Sequence, residues 1–140
     1  MFRGKIEYMW ERPTWEVNML YKYKNNYQKI AMGLLSLIPD MKEVARLQEE
    51  IKWYQAEDNR TLFLWKNEDN DFTGVLGVEV NDGVVMVRQI AISPAERNEG
   101  VTYKMLDNLE KLFPEQKIMG SMDTSALVVK WEKKKNENQK

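Results

Sequence analysis

The chain has neither cysteine nor histidine. The first absence excludes disulfides and thiolate nucleophiles. Together the two remove the usual zinc ligands, so no metal site is expected. Lack of histidine also removes a Ser–His pair and an imidazole general base. Any proton transfer must use a carboxylate, a tyrosine, a lysine or water. A large excess of one charge is missing as well. The formal net charge is −1, which argues against a nucleic-acid binder that relies on bulk charge. No apolar run is long enough to span a bilayer, and the opening MFRGKIEYMWERPTWEVN carries charges where a signal peptide has an apolar core. A cytoplasmic location with no membrane partner is therefore expected. Proline is scarce, with four in the chain, and Pro39, Pro94 and Pro114 act as stops between patterned segments.

With 140 residues, one domain is expected, large enough to bury most of its apolar surface without covalent staples. Residues 1–18 mix aromatics and charges without a clean period and read as an extension of uncertain order. The domain is expected over 19–135, followed by a charged tail at 136–140.

Within that span, Leu20 to Tyr23 alternates like a short strand. Asn25 and Asn26 can cap a helix with Tyr27, Ile30, Ala31, Leu34 and Ile38 on one side. Asp40, with Glu43 three residues later, has the pattern of a capping box. The helix it would open has Val44, Leu47, Ile51 and Tyr54 as its apolar face, with Trp53 at the edge. Three strands follow, TLFLWK, FTGVLGVEV and VVMVRQIAI, with Asn81-Asp82-Gly83 as the second turn. They form an antiparallel meander. After Pro94 comes a helix with Val101, Met105, Leu106, Leu109, Leu112 and Phe113 on one face. Lys117 to Met119 reads as a short strand, parallel to its neighbour. Asp123 and Thr124 can cap a last helix from Ser125 to about Lys135. The fold class is α/β, a mixed and mostly antiparallel sheet with helices packed on it.

The organising stretch is Val84 to Phe113, a buried strand, a loop and an amphipathic helix. The loop ends in a helix start, where first-turn N–H groups lack partners and the helix dipole is positive. That is a ready anion site.

The text IAISPAERNEGVTYKML, with Arg97 and Gly100 at the spacing Arg-x-x-Gly, resembles the GNAT family of N-acetyltransferases. YKNNYQKIAMGLLSLIP, LFLWK and GVLGVE bring the resemblance nearest to a riboflavin-operon branch of it. The family implies acetyl-CoA as cosubstrate and direct transfer to a primary amine of a small molecule or protein. By this resemblance Ile90, Ala91 and Ile92 offer main-chain groups to the pantetheine and thioester. Arg97, Asn98, Glu99, Gly100, Val101, Thr102 and Tyr103 surround the pyrophosphate. Glu79, on the preceding strand, is the candidate general base. The alternative for Glu79 is a strand residue paired with Arg88 across the hairpin.

Departures from the family pattern are visible. Thr102 stands where the family has Gly or Ala, and Glu96 and Glu99 bring carboxylates near a dianion. If Thr124 aligns with the family's common Asn, Trp131 falls where many members carry a proton-donating Tyr. The C-terminal end is expected to be shortened, leaving an edge that a homodimer would cover. These departures support a second reading, a weakly active or inactive CoA-binding regulatory module acting through partners. Arg88 and Gln89 are expected on opposite strand faces. Tyr21, Tyr23, Tyr27, Trp53 and Tyr54 either line an acceptor pocket or serve as core.

Overall fold

The computed structural model describes residues 16–96 and 99–138. In chain order these form β1 (Met19–Lys22), a 3-10 turn at Asn25–Tyr27, α1 (Gln28–Leu35), α2 (Val44–Gln55), β2 (Arg60–Lys66), β3 (Phe72–Asn81), β4 (Val84–Ile92), a second 3-10 turn at Pro94–Glu96, α3 (Glu99–Leu112), β5 (Lys117–Gly120) and α4 (Ser125–Asn138). The sheet order is β1-β2-β3-β4-β5. The first four strands are antiparallel neighbours, and β5 lies parallel to β4. The tight turn between β3 and β4 has positive φ at Asp82 (50°) and Gly83 (79°), as a two-residue hairpin turn requires.

Strand alternation splits the core in two. Leu76, Val78, Val85 and Val87 point to the face covered by α3 and α4, where Val101, Met105, Leu106, Leu109, Val128 and Trp131 meet them. Leu62, Leu64 and Val75 point to the opposite face and meet Ala31, Leu35, Leu47, Ile51 and Tyr54 from α1 and α2. Each fully buried aliphatic side chain in these layers contributes about 1.5–3 kcal/mol of transfer free energy. On the outer edge of the sheet, Asn108 of α3 accepts the Leu20 N–H at 3.1 Å and so ties β1 to the far helix layer. Among the described residues no helix is long and apolar enough to cross a membrane.

Local expectations fail where tertiary contacts override them. Asp40 does not cap α2. It sits in a left-handed turn (φ 69°), and α2 begins after Glu43, which makes no side-chain cap bond. The cause is Met41, drawn into the α1–α2 core cluster, which holds the chain out of helix for several residues. The buried face of α1 is Ala31, Leu34 and Leu35, while Ile30 is exposed. Tyr27 belongs to a 3-10 turn, so its phase does not carry into the helix. Val44 is likewise exposed at the start of α2. At the other end, α4 runs to Asn138 and so includes part of the expected tail.

Candidate active site

Pairing between β4 and β5 covers only Val84–Val87. Beyond it β5 turns away, and the Val87 carbonyl receives two donors from the departing chain. Ser121 N–H reaches it at 3.1 Å and the Thr124 hydroxyl at 2.6 Å. The Thr124 hydroxyl also accepts the Ser121 N–H at 2.9 Å, so it clasps the point where the strands part.

At the same place β4 carries a bulge. Gly77 pairs with Gln89 and Val78 with Val87, which leaves Arg88 without a partner in β3. A bulge adds one residue and resets the alternation. Downstream of it, Ser93 N–H donates to Thr73 O at 2.7 Å. Stepping back from Ser93 by twos, the main-chain groups of Gln89 and Ala91 face β3. Those of Ile90 and Ile92 face away from it, toward the gap left by β5.

The gap opens into a cleft of about 700 Å³. One wall is the loop Leu37–Met41 with Arg46 of α2, the floor is Arg88–Ile92, and the other wall is Thr102, Asp123, Thr124 and Leu127. Thr102 projects from the first turn of α3, so the cleft reaches a helix N-terminus, where anions are favoured.

The α2 side of the bulge is polar and aromatic. The Tyr54 hydroxyl donates to Gln89 Oε1 at 2.7 Å, and the Trp53 and Tyr54 rings meet edge to face with centroids 5.0 Å apart. Guanidinium carbons of Arg60 and Arg88 lie 4.0 and 4.5 Å from the Trp53 ring. Glu79 lies between the same two arginines, 3.7 Å from Arg60 Nε and 3.5 Å from Arg88 Nη1. Burial, with the Glu50 and Glu79 carboxylates nearby, pushes the Tyr54 phenol well above its ordinary value, and Arg88 opposes this. Tyr54 is therefore a neutral hydrogen-bond donor.

Arg88 and Gln89 thus both reach toward α2, contrary to the opposite faces expected from simple alternation. The bulge is the reason. Its signal in the sequence is the polar pair Arg88-Gln89 interrupting an apolar strand.

The sequence-predicted residues fall into three groups. Ile90, Ala91, Ile92 and Thr102 line the cleft. Gly100 and Tyr103 open instead onto a smaller hollow of about 360 Å³ between α3 and α4, and Val101 is buried in the core. Arg97, Asn98 and the side chain of Glu99 lie outside the described residues. Glu79 is not among the cleft-lining residues. The Glu96 carboxylate is held by the side-chain amide of Asn67, whose carbonyl also accepts the Asp69 and Asp71 N–H groups at 2.9 Å each. Trp131 is buried and donates its indole N–H to Asp107 at 2.8 Å. Tyr21 and Tyr27 pack around Phe72. Sequence reasoning missed the cleft loop Leu37–Met41, Arg46 and Asp123, which become neighbours of β4 only on folding.

A five-stranded sheet whose fourth and fifth strands part over a cleft defines a class, and comparison identifies it. Residues 10–127 match the model of the acetyltransferase (GNAT) family. The chain belongs to that family. It is 38% identical over 115 residues to an uncharacterised N-acetyltransferase of the lysA 3′ region of Bacillus methanolicus, covering 81% of this chain and 95% of that one. Among solved structures, AAC(6′)-Iy in complex with the bisubstrate analogue CoA-S-monomethyl-acetylneamine shares the fold at 11% identity (TM-score 0.61, covering 79% of this chain and 83% of that one). A GNAT family acetyltransferase of Elizabethkingia anophelis with acetyl-CoA bound does so at 19% identity (TM-score 0.58, covering 83% and 72%).

Proposed function

We propose that the protein transfers an acetyl group from acetyl-CoA to a primary amine. The observation that carries this reading is the parting of β4 from β5 after Val87, which leaves the main-chain groups of Ile90 and Ile92 along a cleft. A pantetheine arm has amide groups at strand-like spacing, and an open strand edge suits them. The cleft volume also fits an acyl-pantetheine chain. Bound acetyl-CoA supplies an activated thioester, whose carbonyl carbon accepts the amine nitrogen as the C–S bond breaks.

In this reading an Ile90 or Ile92 N–H polarises the thioester carbonyl. The first turn of α3, which brings Thr102 to the cleft, faces the phosphates. Glu96 does not oppose them, because Asn67 turns its carboxylate toward the β2–β3 loop. The Leu37–Met41 loop and Arg88 bound the acceptor side and hold the amine against the thioester, the positioning on which direct transfer depends. The amine's proton leaves through water to Glu79, which acts from outside the cleft. The leaving thiolate draws its proton from solvent, since Trp131 is committed to Asp107. A riboflavin-operon placement rests on the resemblance of the segments quoted above and suggests flavin-related metabolism as the first place to seek acceptors.

The fate of Trp131 also favours the second reading, a module that binds CoA with little turnover. Calorimetric titration with acetyl-CoA tests the shared part. A micromolar Kd, about −8 kcal/mol, supports both readings, and no binding at millimolar ligand overturns the transferase and leaves a module that acts through protein partners. Free-thiol release on adding amines then separates transferase from module. Glu79→Gln is expected to lower kcat by about 10²-fold with KM little changed, the usual size for loss of a general base. Unchanged kcat would remove Glu79 from that role.

A further inference from the structure

We infer that the acceptor is an amine that also bears an anionic group, a carboxylate or phosphate, and that Arg88 with Arg46 recognises it. The inference rests on the transferase reading and names its substrate class. Both arginines are among the residues that line the cleft, and the Arg88 guanidinium lies against Trp53 of α2. Arg88 is the unpaired bulge residue, set on the strand at the point where the cleft begins.

Its charge is only partly answered within the fold. Glu79 is shared between Arg88 and Arg60 at 3.5 and 3.7 Å, both longer than a close charge-assisted hydrogen bond of about 2.7–2.9 Å. The Nε of Arg60 is buried with no hydrogen bond among the described residues. One carboxylate therefore serves two arginines. The Arg88 side chain remains 42% exposed, with more N–H donors than that one contact uses. The Arg88 guanidinium carbon lies 4.5 Å from the Trp53 ring centroid, a contact that consumes no N–H donor.

Of the carboxylates lining the cleft, Asp123 lies on the α4 wall, across the floor from Arg46, while Asp40 belongs to the rim loop on Arg46's own wall. Neither α2 nor β4 contributes one. A substrate with separated charges fits this division, with its anion toward Arg88 and Arg46. A polycation such as the acetylated neamine moiety bound by AAC(6′)-Iy would meet like charge on the α2 side.

The test uses the full chain and three amines of similar length, 3-aminopropylphosphonate, propylamine and 1,3-diaminopropane, with 4-aminobutyrate to separate carboxylate from phosphate. Binding is followed through the Trp53 indole N–H signal, which reports locally without turnover, and acetyl transfer through thiol release. The expected result is that an anionic amine binds about tenfold or more tightly than the diamine, the scale of one charge-assisted contact. Arg88→Glu should invert that order, and Arg46→Glu on the exposed helix surface should weaken it without touching β4. Equal binding of all the amines, tighter binding of the diamine, or an order unchanged in both variants would overturn the inference. Acetyl-CoA titration is read separately. Normal acetyl-CoA affinity with no charge preference removes the acceptor class alone, whereas lost acetyl-CoA affinity removes the transferase reading.

Discussion

Gly77→Ala should be among the most damaging single-methyl additions in the protein. A Cβ at Gly77 would stand 2.0 Å from the Tyr54 hydroxyl oxygen and 2.4 Å from its Cζ. Neither can yield cheaply. The Tyr54 ring is buried in the α1–α2 layer against Trp53, and its hydroxyl is bonded to Gln89. Overpacking of this kind costs about 1–3 kcal/mol. Loss of the Tyr54–Gln89 bond adds about 1 kcal/mol. Replacing a strand glycine returns about 0.5–1 kcal/mol of chain entropy. The net expectation is a destabilisation of about 2–3 kcal/mol, read as a lower urea midpoint with unchanged m-value. The collision, not the added methyl, is the stated cause, so a second background tests it. In Tyr54→Leu, which removes the ring, Gly77→Ala should cost less than about 0.5 kcal/mol, because only the entropy gain and minor contacts remain. An equal cost in both backgrounds would refute the reasoning.

Tyr54→Phe tests the electrostatics of the same residue. The folded phenol titrates above its unfolded value of about 10, so stability is full below that pH and falls as pH rises beyond it, by up to about 1.4 kcal/mol per unit. The Phe variant should lose that component of the alkaline decline, and an identical alkaline slope would contradict the assignment. Thr124→Val keeps the shape but removes the clasp on Val87 O and Ser121 N–H. It should cost about 1–2 kcal/mol by urea denaturation and weaken acetyl-CoA binding, and wild-type values of both would show that the clasp does not set the splay. Asn67→Ala strips three hydrogen bonds from a buried loop anchor and should cost about 2–3 kcal/mol, with a loss below 0.5 kcal/mol counting against it.

Much of the fold was legible because its signals are local. The β-branched run Val84–Ile92 and the Asn81-Asp82-Gly83 turn located β4 at its observed limits. The period of Val101, Met105, Leu106, Leu109 and Leu112 identified the buried face of α3. Legibility failed where a distant contact outvoted the local one. Met41 found a core place and delayed α2, although Asp40 and Glu43 were spaced to cap it. Likewise, the Thr124 hydroxyl was spaced to cap α4 but turned back to Val87 O, a partner from a different strand.

The amino-acid sequence by itself determined the chemistry available and the order of elements. Without cysteine or histidine, only carboxylates, phenols, amines and water can move protons, and composition alone decides that. Short-range periodicity decided strands and helices, because backbone sterics and side-chain burial act over a few residues. Tertiary structure alone decided where the cleft opens and which charges face it. The Arg88 bulge, the parting of β4 from β5, and the approach of Trp53 to two arginines each depend on contacts between different elements, about ten residues apart across the β3–β4 hairpin and more than thirty between Val87 and Thr124. Their energies arise only when those segments pack, since a bulge is defined by its partner strand and a shared carboxylate by both of its arginines.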